Sequence, residues 1–432
     1  MIALLVTLVI FPLVGGAAAR LLRLTLPPTR SSRFAFTFLL GLGVHGTFLY
    51  ILGALRVPLG WIAFVAPPLL ALLARGWRSA LGGPSEQRFA LSSIVFAAPL
   101  VLLLFASAIL PTRDYDGRVT WLPKARAIAL ESSISGPFFH GERGLNLHNR
   151  YPLLLPLDVA TVMKLGGDTR NEAGRWLYIF IAISALVVLR AYLRKWYAAS
   201  GGWIAAGVAW LPLLTTIEGG ALAAYNDFAL AAFFGIAVLA LLDDDARAAG
   251  IFAAFAVMTK NEGLALAVAV LIAAAVVRRM KFSMLVPIAL AEAIVVYCRR
   301  LVPPAYDEQY EVLLSSLPRS IARAPEAVAA IAKHAGEFQV WGGFWFAVAI
   351  AILVCAMRAR EKAFVIVLVT IVIGLAAYVV ALTVTSWSIA DLAPVAVNRL
   401  LAQLLVPATT LVAMATHSLE RDQAARRASQ MR

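Results

Sequence analysis

The sequence predicts an all-α polytopic membrane protein, and three observations carry that class. Of 432 residues, 61% are hydrophobic and 14% charged, whereas a soluble domain is about half apolar and about a quarter charged. Mean hydropathy is +0.83. The apolar residues gather in runs of spanning length, with basic residues in short clusters between them. So little charge cannot solvate a folded surface in water, which leaves lipid as the solvent.

A spanning helix needs roughly 20 mostly apolar residues. Such runs cover 2–19, 34–55, 57–74, 89–110, 175–193, 203–218 and 225–242. Two shorter runs, 247–259 and 262–278, precede 284–301, 340–357, 363–385 and 397–416, giving about thirteen transmembrane helices. The first begins at Ile2 with no basic segment before it and no small-residue cleavage site, which reads as a retained helix rather than a signal peptide.

The basic clusters set the expected orientation. Arg20, Arg23, Arg30 and Arg33 fall in one loop, and Arg75, Arg78 and Arg88 in the next of the same parity. Arg190, Arg194 and Lys195 follow, then Arg278, Arg279 and Lys281, then Arg358, Arg360 and Lys362, and finally Arg421, Arg426, Arg427 and Arg432. The positive-inside rule makes that face cytoplasmic, with the N-terminus outside and the C-terminus inside. Topology and anionic headgroups thus account for the formal net charge of +14 without a nucleic-acid partner. Cys298 and Cys355 lie in apolar runs near opposite faces, which argues against a disulfide.

The opposite face receives residues 111–174, 218–226, 303–338 and 386–397, and the Thr259-to-Gly263 turn, which together hold most of the unusual polar residues. A shared face is what an active site needs. Within the first loop, Trp121, Leu122, Ala125, Ile128 and Ala129 recur at helical spacing, with Pro123 suited to a first turn. Tyr151 to Leu165 is too short and Pro-rich to span. Both segments are expected to lie on the membrane surface, and 306–335 is a third candidate.

Asp114 and Asp116 directly follow a spanning helix. They read either as solvated loop carboxylates or, held at the membrane by Trp121, as a partly desolvated general base. A lone Asp-x-Asp pair is a weak metal signal, so no cofactor is expected and a divalent ion is not favoured. Arg126 reads as a cation snorkelling to headgroups; Lys124 has that reading and a second, as a phosphate contact. Around the next outer turn lie Glu218, Tyr225, Asn226 and Asp227. Asp227 fits either a helix N-terminus or a second acid of the site.

Thr259-Lys260-Asn261-Glu262-Gly263 interrupts about thirty apolar residues. A charge in mid-bilayer costs about 2.5–3.5 kcal/mol on insertion scales. The segment therefore marks an outer turn, a functional cavity, or both. Asn398-Arg399 puts another cation at the outer face. His140 and His148 lack the spaced partners that zinc requires and read as loop residues or substrate hydrogen-bond donors.

These segments, in order, resemble those of the bacterial GT-C glycosyltransferases that use polyprenyl-phosphate sugars. YDGRVTWLPKARAI resembles their WDAxxxWxxKAxxL segment, and NRYPLLLPLDVA is similar to HPDYPLLLPL in the same loop. YNDFALAAF is similar to YADLPLALF, TKNEGLALAVAVL carries the KNEG element, and NRLLAQLLVP resembles DRLLLQLLP. The resemblance covers roughly residues 110–415, leaving the helices before residue 89 unmatched. Tyr115 stands for the usual Trp, Gly117 for Ala, Asn149-Arg150 for Pro-Asp, and Asn398 for Asp or Ser.

The resemblance implies a GT-C fold: N-terminal helices over 1–88, a catalytic membrane domain over 89–416, and a basic cytoplasmic tail over 417–432. It implies Asp116 as general base and Asp227 as the second acid. Asp114, Trp121, Lys124, His148, Tyr151, Lys260, Asn261, Glu262 and Arg399 become the substrate-binding set, with Lys124, Lys260 and Arg399 facing the donor phosphate. The expected activity is inverting sugar transfer from a polyprenyl-phosphate donor to a glycan, lipid or protein hydroxyl at the external face of a bacterial plasma membrane. A flippase or transporter of a lipid-linked sugar, and a glycan ligase, are the alternatives.

Overall fold

A computed structural model describes residues 2–84, 90–112, 114–141, 148–215, 220–304, 313–356 and 361–430, with the side chains of 313–316 left aside. Glu218, Arg88, Arg358, Arg360 and Arg432 lie outside the described residues. Eighteen α-helices are described, with no strand among the described residues. In chain order they are α1 (Ile2–Leu21), α2 (Arg30–Ala54), α3 (Trp61–Leu73), α4 (Trp77–Leu81), α5 (Leu91–Ile109) and α6 (Leu122–Glu131). Then come α7 (Leu154–Gly166), α8 (Asn171–Ala209), α9 (Asn226–Leu242), α10 (Ala246–Thr259), α11 (Glu262–Val276) and α12 (Phe282–Arg299). The series ends with α13 (Leu313–Ala335), α14 (Phe338–Trp341), α15 (Phe344–Ala356), α16 (Lys362–Thr383), α17 (Ile389–Gln403) and α18 (Leu405–Gln430).

Six of these helices are long and apolar enough to cross a membrane, seven if the bent pair α17–α18 forms one span. Five shorter apolar helices, α3, α9, α10, α11 and α15, accompany them. The protein is an all-helical, multi-pass membrane protein. The expected run 175–193 and the first part of the next, 203–209, belong to α8, which is interrupted where Tyr197 and Ala198 leave helical geometry; a short helical turn, Pro212–Leu214, follows it, and 216–218 lie outside the described residues.

Local chemistry starts and stops these helices. Thr29 and Ser32 form a capping box at the head of α2, Asp245 accepts from Ala248 N–H to cap α10, and Ser388 caps α17. One end of the bundle is tied by Thr25 N–H to Asp245, Lys195 to Asp243 at 2.5 Å, and Arg279 to Asp244 at 3.5 Å. The polar residues singled out from the sequence meet elsewhere, as described below.

Two expectations change. The Tyr151–Leu165 segment is not a surface helix: Leu154 through Met163 of α7 are all buried, and α7 packs against α1, α2, α6 and α8. A helix on a membrane surface keeps one face toward water; this one carries its only acid, Asp158, inward to His45. His45 Nδ1 lies 2.9 Å from Asp158 Oδ1, with both side chains 0% exposed. The N-terminal helices thus form the seat of the loop helix that precedes α8. Arg126 likewise does not snorkel. Its Nε donates to Thr169 O at 2.8 Å and its Nη2 to Asn171 Oδ1 at 3.0 Å, tying α6 to the head of α8.

The third candidate surface segment is a helix, α13. Leu317, Ile321 and Val328 form an exposed apolar stripe, Arg319, Glu326 and Lys333 are exposed on the opposite side, and Ser320, Ala327 and His334 are buried between them. That three-sided pattern suits a helix lying along an interface against a protein wall. Arg323 fastens it by donating to the carbonyls of Thr383, Thr385 and Trp387.

Candidate active site

Four pieces of chain meet at the site. The first follows α5, where Gly117–Trp121 forms a wide π-helical turn, a geometry frequent at functional sites. Asp116 immediately precedes this turn. A Cβ on Gly117 would stand 2.4 Å from Ala223 O, so only glycine lets the turn lie against the Ala221–Ala223 segment. That contact accounts for glycine at this position.

The second piece is the head of α9. Asp227 has 0% side-chain exposure, and all its acceptor capacity is in use. Oδ1 accepts from Lys260 Nζ at 2.8 Å and Gln403 Nε2 at 2.7 Å. Oδ2 accepts from Arg399 Nε and Nη2, each at 3.1 Å. Asn226 beside it accepts from Tyr178 Oη and donates to Thr259 O, locking the head of α9 to the C-terminal end of α10.

The third piece is the turn between α10 and α11. Lys260 bridges Asp227 and Glu262, at 2.8 and 2.9 Å. The second oxygen of Glu262, Oε2, is buried and has no partner among the described residues. A Cβ on Gly263 would stand 1.9 Å from Ala256 O, so the glycine lets the two short helices fold back tightly.

The fourth piece is α17. Arg399 Nη1 lies 2.7 Å from Asp116 Oδ2, while its other edge holds Asp227. Its guanidinium carbon sits 4.4 Å from the ring centre of Tyr225, whose Oη accepts from Asp116 N–H at 3.2 Å. The Tyr225 phenol keeps its own proton to donate. Asn398 donates to Glu337 Oε2 at 2.8 Å and accepts from Trp341 Nε1 at 2.9 Å. An aspartate there could not donate to Glu337, which accounts for asparagine at that position.

No protein-family model, curated protein or solved structure matches this chain.

An aromatic group adjoins these charges. Trp121, Tyr225 and Tyr151 pack together, and His148 stacks on Tyr151 with ring centres 4.5 Å apart. Lys124 does not face an open phosphate position. It is 0% exposed, donates from Nζ to His148 O at 2.5 Å, and lies 5.2 Å from the Trp121 ring centre. Its cation braces the aromatic cluster. Trp121 Nε1 is buried and without a partner among the described residues.

Asn149 fixes the loop before Tyr151, donating to Phe139 O at 2.6 Å and Pro303 O at 2.7 Å. Arg299, at the end of α12, donates from Nε to Arg150 O at 3.3 Å and from Nη2 to Asn261 Oδ1 at 2.7 Å. The contacts therefore close into a ring. From Asp116 it runs through Tyr225, Trp121, Tyr151, Arg150, Arg299, Asn261, Lys260, Asp227 and Arg399, and back to Asp116. One arc is aromatic and the other is charged.

Asp114 is buried beside the ring, within electrostatic reach of Arg175 and Tyr225, and His140 is exposed at the end of a short helical turn. Among the described residues, no three His, Cys, Asp or Glu side chains group as a metal site. Sequence reading missed Arg299, Gln403 and the His45–Asp158 pair. Gln403 is itself held by Tyr378 Oη at 3.0 Å.

Proposed function

We propose that the protein is a membrane glycosyltransferase of GT-C type, moving a sugar from a polyprenyl-phosphate donor to an acceptor hydroxyl at the external face of a bacterial plasma membrane. The observation that carries this reading is the contrast within the carboxylate pair on Arg399. The Asp116 side chain is 18% exposed and that of Asp227 is 0% exposed. One acid is reachable, and the other holds the cations in place.

In this reading the sugar ring stacks on the aromatic arc, where Tyr225 and Trp121 carry hydrogen-bond donors and Glu262 Oε2 accepts from a sugar hydroxyl. The acceptor hydroxyl approaches the oxygen of Asp116 that Arg399 leaves open. Its proton passes to that carboxylate as its oxygen bonds to the anomeric carbon. The bond from that carbon to the phosphate oxygen breaks on the opposite face, so the configuration inverts. The electron pair leaves with the polyprenyl phosphate, and the fixed cations offset its growing charge. Base assistance of this kind contributes about 10²–10⁴-fold.

The test is product formation. Purified protein in proteoliposomes, given a radiolabelled polyprenyl-phosphate monosaccharide and membrane lipid or glycan acceptors, is expected to form a new glycosidic bond. Movement of intact donor between leaflets without a new bond would make it a transporter. Transfer of a preassembled glycan but not of a monosaccharide would make it a ligase. Activity is expected to persist in excess chelator; dependence on added Mg²⁺ or Mn²⁺ would instead favour an ion at Asp114 and Asp116.

A further inference from the structure

We propose that Arg299, rather than Lys260 or Arg399, receives the phosphate of the lipid-linked donor, and that the donor reaches it along α12 from the bilayer. This rests on the reading of the site as a polyprenyl-phosphate glycosyltransferase.

Two of the three cations legible in the sequence, Lys260 and Arg399, are already compensated. Lys260 lies between Asp227 and Glu262, and Arg399 between Asp116 and Asp227. A phosphate arriving at either would compete with two carboxylates. Arg299 differs. Among the described residues, no carboxylate lies within the 4.0 Å of an ion pair with it. Its contacts are a side-chain amide oxygen and a backbone carbonyl, both neutral. They fix the plane of the guanidinium without neutralising it. A guanidinium carries five N–H donors in a rigid fork that suits phosphate oxygens. The half-buried charge is thus oriented, partly desolvated and in want of an anion.

Its place in the fold names the source of that anion. Arg299 is the last residue of α12, the least buried of the six spanning helices at 28%. Leu285, Val286, Leu290, Val296 and Tyr297 are exposed along the helix that ends in Arg299. A polyprenyl chain is soluble in the lipid that covers such a surface, which brings its phosphate to the end of the helix. Glu292, two turns earlier, senses Arg299 electrostatically but lies beyond ion-pair distance. The amide of Asn261 then carries the geometry directly to Lys260 and the reacting centre.

The probe is a radiolabelled long-chain polyprenyl phosphate, bound to the full-length protein in nanodiscs. Unlabelled polyprenyl phosphate is expected to compete, while the corresponding polyprenol and inorganic phosphate do not at equal concentration. Arg299→Gln is expected to weaken binding about ten- to a hundredfold, the range for a hydrogen bond to a charged group, with Arg299→Lys in between. A photoreactive polyprenyl phosphate on the wild-type protein is expected to label α12, which holds the test even where Arg299→Gln folds poorly. Binding by Arg299→Gln within threefold of wild type, or labelling confined to other helices, overturns the role of Arg299 and leaves the transferase reading standing. Equal competition by inorganic phosphate overturns the lipid route. No binding by the wild-type protein removes both.

Discussion

Asp116 and Asp227 share one guanidinium. Arg399 donates from Nη1 to Asp116 at 2.7 Å and from its opposite edge to Asp227 at 3.1 Å. The sharing is unequal, because Asp227 also takes Lys260 and Gln403 and is closed off, whereas Asp116 keeps an accessible side. Two acids on one cation therefore differ in access.

Asp116→Asn removes the reachable carboxylate, the proposed base, and leaves the buried anchor intact. Transfer is expected to fall by about 10²–10⁴-fold, with monodisperse protein of near wild-type thermal stability. Single-turnover transfer on purified protein measures it, and activity within a few-fold of wild type would refute Asp116 as the base.

Asp227→Ala takes one of two carboxylate partners from each of Lys260 and Arg399. Breaking a buried ion pair from one side costs about 3–5 kcal/mol, so this variant is expected to lose stability as well as activity. Thermal unfolding in one detergent, run beside Asp116→Asn, separates the two roles. Equal midpoints for the two variants would mean that Asp227 anchors nothing.

Gly117→Ala places a methyl group 2.4 Å from Ala223 O, a backbone atom that cannot swing away. The turn carrying Asp116 must shift, and a displacement of about 1 Å costs on the order of 10²-fold in rate. The expected signature is a fall in kcat with the unfolding midpoint within a few degrees of wild type. An unaltered kcat would show that the turn has room to spare.

The His45–Asp158 pair seats α7 in the N-terminal helices. Either single substitution to alanine leaves a buried polar group without its partner, costing about 1–3 kcal/mol. The double variant is expected to be less destabilised than the sum of the singles, with a coupling in the range of 0.5–3 kcal/mol. Strict additivity in thermal unfolding would show that the two side chains do not depend on each other.

The legible part of the site consisted of charges that apolar surroundings make costly. Lys260, Glu262 and Arg399 stand out because nothing near them in sequence explains them, and they do meet around Asp227. Arg299 was concealed for the opposite reason, since a basic residue at a helix end is ordinary in a membrane protein. Gln403 and His45 were hidden inside apolar runs. Lys124 and Arg126 look alike in sequence, yet one braces an aromatic cluster and the other ties two helices.

By itself, the sequence determined the all-helical class of this protein and lipid as its solvent. Both follow from local quantities, namely the length of apolar runs and the spacing of charges. Only the tertiary structure decided which acid is reachable, which cation lacks a carboxylate, and that α7 is buried rather than laid on the membrane. Each of these depends on partners far away in the chain, and desolvation and ion pairing are settled by what surrounds a side chain, not by what precedes it.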